Sequence, residues 1–258
     1  KSSVTANLAA TLAARGYTIG VLDADIGGYS IPRMLGVSAR VEARDKKIVP
    51  IEKQVGDGLL KIVSMGSIEG AQEEEAVMLR GLMLNRAVQH FLEDVAWGEM
   101  DYLLIDMPPG TADVQMGLAR MLPRTEMLIV TTPAQAAQKV AARAADMARK
   151  GYLRVAGVIE NMSAFVNEQG TSYPLFGEGG GRRLAAQIGV PLLGSIPIDP
   201  AVAAGGDSGQ PAALGEGPVA DAYRALAERI VTEAVPPVEM STCTARLMDT
   251  VEATLGPK

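Results

Sequence analysis

Apolar residues recur along this chain in two alternating rhythms: short unbroken runs that suit buried strands, and longer stretches at i, i+3, i+4 spacing that suit helices. Val4, Leu8 and Leu12 set the first helical rhythm, which Gly16 stops. Tyr17 to Leu22 then reads as a strand. Ile48 to Ile51 and Leu59 to Met65 flank Gly56-Asp57-Gly58, a hairpin signal at a sheet edge. Met78, Leu79, Leu82, Met83, Val88 and Leu92 mark a long helix before Trp97. Further strands are expected at Tyr102 to Ile105, Met127 to Thr131, Val155 to Ile159 and Pro191 to Ile196. Helices are expected at Ala134 to Lys150, Gly180 to Ile188 and Val219 to Ala234, with Pro236-Pro237 opening a tail to Lys258. This alternation predicts an α/β fold, a mostly parallel sheet with helices on both faces.

Several of these strands end on acids. In DYLLIDMPPGTAD, Asp101 to Asp113, an apolar run delivers Asp106 into a turn that Pro108, Pro109 and Gly110 impose. The carboxyl ends of strands are where open α/β sheets bind ligands. In nucleotide hydrolases an acid so placed holds Mg²⁺, usually through water, and the loop after it, here through Gly110, senses the last phosphate. Alone, Asp106 serves equally well as a solvated strand end. Lys1-Ser2-Ser3 supplies half of a phosphate cradle at the first helix's N-terminus. Unpaired N–H groups and the helix dipole attract phosphate there, a Lys reaches the outer phosphates and a Ser hydroxyl ligates Mg²⁺. The glycines of GxxxxGK[ST] do not precede Lys1 in this sequence, nor does a strand leading in. The expectation is that the natural N-terminus lies upstream and that the chain as written binds ATP poorly, lacking the N–H cradle. Asp23-Ala24-Asp25 closes the next strand, with its carboxylates on opposite sides of an extended backbone. Asp25 is the candidate for orienting or deprotonating the attacking water, and Asp23 for holding Lys1 or the metal shell. Either is also an ordinary turn acid.

Taken together, KSSVTANLA, LDADIGGYSIPRMLG, WGEMDYLLIDMPPGTAD, VTTPAQAAQKVAARAADM, VIENMS, FGEGGGRRLA and GSIPIDPAVAAGGDSGQP resemble, in order and spacing, the Mrp family of deviant P-loop ATPases. These are relatives of MinD and ParA that handle iron–sulfur cluster assembly, and the likeness runs from Lys1 to about Pro211. The resemblance implies a MinD/ParA-like P-loop fold, here without its first strand, and a homodimer sandwiching two ATP molecules. It gives Lys1 and Ser2 the phosphate and Mg²⁺ roles, Asp25 the water role and Asp106 the outer metal role. It also has Asn161 read the adenine, with Pro197 to Pro200, Asp199 among them, beside the base. Apo iron–sulfur proteins or assembly factors are the implied partners. Residues 1–235 would form the ATPase domain and 236–258 a tail.

Departures from the family matter as much. Cluster-carrying members have a Cys-x-x-Cys pair between ENMS and FGEGGG, through which two subunits share a [4Fe-4S] cluster. Here that interval reads AFVNEQGTSYPL, without cysteine. Asn167, Glu168 and Ser172 are not thiolate ligands, and Cys243 is the chain's single cysteine, so a dimer falls two thiolates short of four. No iron–sulfur ligands are identified. Ala112 stands where the family has Gly or Ser, and Gly28-Tyr29 where it has Tyr-Gly-Pro. A nucleotide-gated adaptor with little hydrolysis shares every motif and remains an alternative, as does a MinD/ParA-like positioning ATPase.

Composition narrows the partners. With 258 residues, 48% hydrophobic, the chain can bury one sizeable core. A net charge of −6 and pI near 5.0 argue against nucleic acid, which a basic face must bind. No apolar run approaches the roughly 20 residues that span a bilayer, and the tail's Asp249 and Glu252 make a poor membrane helix. A cytoplasmic enzyme fits the single cysteine. His90, the only histidine, reads as a helix-surface or packed residue. Gly177 to Gly181 reads as a flexible loop closing onto Arg182-Arg183, not as a phosphate loop.

Overall fold

The computed structural model describes residues 1–25, 30–38, 42–44, 47–64, 82–107, 117, 121–122, 124–167 and 169–237. Helix α1 (Ser2–Ala14) is Ala- and Leu-rich and buried almost all round from Val4 to Ala13, the pattern of a helix enclosed on every side. It leads into β1 (Thr18–Asp23), whose residues from Ile19 onward are all buried. After the short α2 (Ile31–Met34) and the hairpin β2 (Glu42–Arg44) with β3 (Lys47–Val49), β4 (Ile51–Val55) turns at Gly56-Asp57 into β5 (Gly58–Ser64). The hairpin expected here is therefore present. Only β4 is the edge excursion, because β5 runs parallel to β1 along its whole length.

Helix α3 (Leu82–Glu93) precedes β6 (Tyr102–Asp106), which pairs parallel with β1 in a register that sets Asp23 beside Asp106. The first sheet thus runs β4-β5-β1-β6. β7 (Glu126–Thr131), α4 (Gln135–Lys150), β8 (Arg154–Val166), α5 (Gly180–Ile188) and β10 (Leu192–Ile198) form a second parallel unit ordered β10-β8-β7. The two-residue β9 (Ser172–Tyr173) is hooked antiparallel onto the end of β8. α4 lays Ala141, Ala145 and Ala148 against its sheet and turns charged residues outward, an amphipathic face built from small side chains.

Among the described residues no ladder joins β6 to β7, and this split divides the strands into two half-sheets. One core nevertheless runs beneath both halves. Tyr102 and Leu104 of β6 and Leu128 and Val130 of β7 pack on the same cluster as Leu12, Ile19 and Leu60 from one side and Ile159, Leu193 and Ile196 from the other. Each fully buried Leu or Ile there contributes roughly 1.5–3 kcal/mol relative to exposure. Helix α7 (Pro218–Arg229) supplies the fully buried Tyr223 and Leu226 to this core, and its last turn widens into a π turn, Ile230–Ala234. Tyr102 Oη donates to Val235 O at 2.8 Å and Arg154 donates to Ala234 O at 3.0 Å, so this turn ties a strand of each half together.

Helix α6 (Pro200–Ser208) was not foreseen in the sequence. Asp199 caps it by accepting from Ala201 N–H at 2.8 Å, Pro200 fills its first position, and Gly209 ends it at φ +72°. Two glycines inside it, Gly205 and Gly206, mask the helical pattern. β8 is also longer than expected. It continues past Ile159 because Asn161 and Phe165 still pair with β10 and Phe165 and Val166 with β9, across a bend where Met162 takes a left-handed φ of +57°.

Candidate functional site

The C-terminal ends of β1, β6, β8 and β10 carry most of the residues singled out in the sequence. The tightest constellation is at the start of α1. Asp106 is buried, and its two carboxylate oxygens accept separately: Oδ2 from Ser2 Oγ at 2.5 Å and Oδ1 from Thr5 Oγ1 at 3.1 Å. Lys1 Nζ donates to Met107 O at 2.6 Å, which sets the ammonium at the mouth of the same strand. Ser2 and Thr5 are three residues apart and so share one face of the helix. Thr5 was missed in the sequence; its spacing from Ser2 was the available signal.

Ser3 contributes backbone to this turn, its carbonyl accepting from Asn7 Nδ2 at 2.8 Å. The amide oxygen of the buried Asn7 in turn accepts from Ala213 N–H at 2.9 Å, which locks the helix start to the segment after α6. A hydroxyl pair around a carboxylate is a set of hard oxygen donors, which suits Mg²⁺ and not a soft metal. Because Ser2 and Thr5 donate to Asp106, their oxygen lone pairs stay available to a cation.

Of the two contacts expected of Asp23, the one to Lys1 is not made. Its oxygens do not hold Lys1: Oδ1 accepts from Asp25 N–H at 3.1 Å, and Oδ2 accepts from Ser30 N–H at 3.0 Å and Ile31 N–H at 3.1 Å. A fully buried carboxylate thus gathers both ends of the segment that follows β1, because those backbone groups need acceptors once removed from water. Asp25 is half-buried, and among the described residues its carboxylate has no hydrogen-bond partner. Gly110, Ala112, Gly28 and Tyr29 lie outside the described residues.

Burial pushes the Asp23 carboxyl up from its ordinary 3.8 to about 6, against the lowering effect of the three N–H groups and with a further push from nearby Asp106. The native chain therefore holds this proton more tightly than the unfolded chain. Its stabilising contribution is complete below 3.8 and is lost as pH rises through about 6. Asp23→Asn is expected to flatten the fall in urea midpoint across that interval in ligand-free protein. An unchanged slope in a pH series of unfolding curves would show that Asp23 is not its source.

The other half-sheet carries the remaining candidates. Asn161, near the bend of β8, accepts Met162 N–H on its side-chain oxygen at 3.0 Å, which leaves its amide NH₂ for other partners. Pro197 and Asp199 end β10 next to it, since Ile196 pairs with Asn161 in the ladder. Asp199 spends one oxygen on capping α6, and with Phe165, Val166, Ile198 and Pro200 it lines a cavity of about 500 Å³. No direct contact brings Asn161 or Asp199 to Lys1 or Asp106 among the described residues; the two groups sit on opposite sides of the split.

At the start of α5 the backbone packs closely on its neighbours. A Cβ on Gly180 would meet Pro133 O at 2.4 Å, and one on Gly181 would meet Glu160 Cβ at 2.6 Å, so only glycine permits this approach. Gly181 N–H is bonded to Glu160 Oε2, so an internal carboxylate already occupies the start of α5. His90 lies on the surface of α3, paired with Asp94 at 2.7 Å.

Comparison with known proteins bears directly on this geometry. The sequence model of the ParA family, described as the NUBPL iron-transfer P-loop NTPase, matches residues 1–231. The chain belongs to this family. Within it, the chain is 50% identical over 221 residues to the iron-sulfur cluster carrier protein of Mycobacterium tuberculosis, covering 83% of this chain and 56% of that protein. It is 38% identical over 236 residues to the protein of the same name from Saccharolobus solfataricus, covering 90% and 78%. The chain thus spans about half the length of the mycobacterial relatives it matches.

Among solved structures, the nucleotide-binding protein of Archaeoglobus fulgidus in complex with ADP superposes with a TM-score of 0.70 at 32% identity, over 84% of each chain. The cell division ATPase MinD of Pyrococcus furiosus superposes at 0.65 with 22% identity, over 89% of this chain and 92% of that one, a likeness of fold alone. The expected MinD/ParA-like P-loop NTPase fold and the Mrp-like iron–sulfur kinship are both upheld. Among the described residues no group of three or more His, Cys, Asp and Glu could hold a metal ion, and Cys243 lies outside them. No helix among them is long and apolar enough to cross a membrane.

Proposed function

We propose that this chain binds Mg-ATP along the C-terminal ends of both half-sheets and hydrolyses it, as the nucleotide-driven part of an iron–sulfur cluster carrier or assembly factor. The observation that carries the reading is the Ser2–Asp106–Thr5 knot at the start of α1, with Lys1 beside it. A bare carboxylate at a strand end needs no two hydroxyls and no ammonium; a phosphate and metal site uses all of them.

Lys1 and the first N–H groups of α1, including those of Ser2 and Ser3, bind the outer phosphates, while Ser2 and Asp106 hold Mg²⁺. Mg²⁺ bound there neutralises charge that builds on the transferred phosphoryl group. Asp25 orients the attacking water and takes its proton, on a segment that Asp23 anchors at both ends. Gly110, after Asp106, reads the last phosphate, whereas Asn161, Pro197 and Asp199 receive the base. Residues 1–235 form the ATPase unit and 236–258 a tail. The working species is a cytoplasmic homodimer whose partners are apo iron–sulfur proteins or assembly factors. The cluster is cargo that this chain does not ligate through residues 164–175, which contain no cysteine.

The test is metal-dependent affinity. In the full-length protein, Asp106→Ala is expected to remove the gain in ATP affinity that Mg²⁺ confers, a loss of roughly tenfold or more, equivalent to about 1.4 kcal/mol. Titration of ATP with and without Mg²⁺ on both proteins reads this directly. If Mg²⁺ strengthens binding equally in both, the metal role of Asp106 is wrong.

A further inference from the structure

Among the described residues, Glu160 is the one buried carboxylate on the base side of the split whose function the nucleotide reading leaves open. It is 5% exposed and stands immediately before Asn161. Its two oxygens are divided between different elements: Oε2 accepts from Gly181 N–H at the start of α5, and Oε1 accepts from Ser195 Oγ of β10 at 3.3 Å. Ser195 is also its partner in the ladder, one position before the Ile196–Asn161 pair. Ser163 Oγ donates to Ile196 O at 3.2 Å on the far side of the bend.

A carboxylate is costly to bury, and this one is compensated by a helix N-terminus and two donors. The bonds it makes hold together three segments: the Asn161 bend, the start of α5 and the β10 end that continues into Pro197 and Asp199. The start of α5 is shaped to this contact, since a Cβ on Gly181 would meet Glu160 itself at 2.6 Å.

We infer that Glu160 is a positioning residue for base recognition. It fixes Asn161 against Pro197 and Asp199 and so sets the preference for one nucleobase, with no part in binding the phosphates. This rests on the nucleotide reading above. Without the clamp, α5 and β10 lose their common acceptor and the amide of Asn161 loses its defined aim. Lys1, Ser2 and Asp106 sit on the other half-sheet and are untouched.

The test compares affinities of the full-length protein for ATP, GTP and inorganic triphosphate. Wild type is expected to prefer ATP to GTP by tenfold or more, on the order of one well-made hydrogen-bonded contact. Glu160→Ala is expected to bring the two nucleotides within about threefold of each other while leaving triphosphate affinity unchanged. Glu160→Gln can accept from Gly181 with its oxygen and donate to Ser195 with its amide, and is expected to restore most of the preference. Should Glu160→Ala fail to fold, Ser195→Ala, which deletes one side of the clamp, is expected to give an intermediate loss. Equal base preference in wild type and in these variants overturns the role of Glu160 alone. A loss of triphosphate affinity parallel to that of ATP overturns it as well, by making the effect general. A wild type that binds no nucleotide sinks the nucleotide reading itself, and this inference with it.

Discussion

Asp25→Ala is expected to lower ATP turnover about 100-fold or more, within the range a positioned general base contributes, while leaving Mg-ATP affinity within about threefold. The two acids that the sequence sets side by side differ in their partners. Asp23 is fully buried and committed to backbone N–H groups, so it shapes the segment. Asp25 is held through its own N–H, and its carboxylate has no partner among the described residues, so it can meet a water. Because only the transition state uses that carboxylate as a base, its loss lowers kcat without weakening ground-state binding. Steady-state phosphate release and equilibrium nucleotide titration measure the two quantities independently. Equal turnover in wild type and variant would move the chain to the adaptor class, in which ATP is held as a signal and not consumed.

Anaerobic reconstitution with iron and sulfide is expected to give no stable four-iron cluster, the larger of the two effects because it is all or none. A [4Fe-4S] cluster of the kind the family shares uses four thiolates, and two copies of these 258 residues, whose single cysteine is Cys243, offer two. The relatives' name, iron-sulfur cluster carrier protein, makes this a sharp test. Visible absorbance, together with iron and sulfide content after gel filtration, would check it. One cluster per two chains would reverse the conclusion and make Cys243 the first ligand to replace.

Much of the fold was legible because buried parallel strands are nearly continuous apolar runs and their helices carry a separate period. β1, β6, β7 and the helices α4 and α5 fall within a residue or two of expectation. Where reading failed, local chemistry hid the period. The glycines of α6 interrupted a helix that its cap and its Pro200 sustain, and β8 runs on past Ile159 because Asn161 and Phe165 keep partners in β10 and β9 that lie further along the sequence.

In the site, acids at strand ends could be found because strands deliver them there. Their division of labour could not be read, because it depends on which backbone N–H groups fold back onto which carboxylate. Asp23 and Glu160 both acquire their roles from partners distant in sequence, Ile31 in one case and Gly181 and Ser195 in the other. Thr5 became visible only when α1 was set against β6.

The π turn after α7 works as a fastener between the two half-sheets. The last carbonyls of a helix have no partner within it, and here two of them are taken up from different ladders: Val235 O by Tyr102 of β6 and Ala234 O by Arg154 of β8. Adjacent residues of one turn thus answer to both ladders, so removing this turn would release β6 and β8 together.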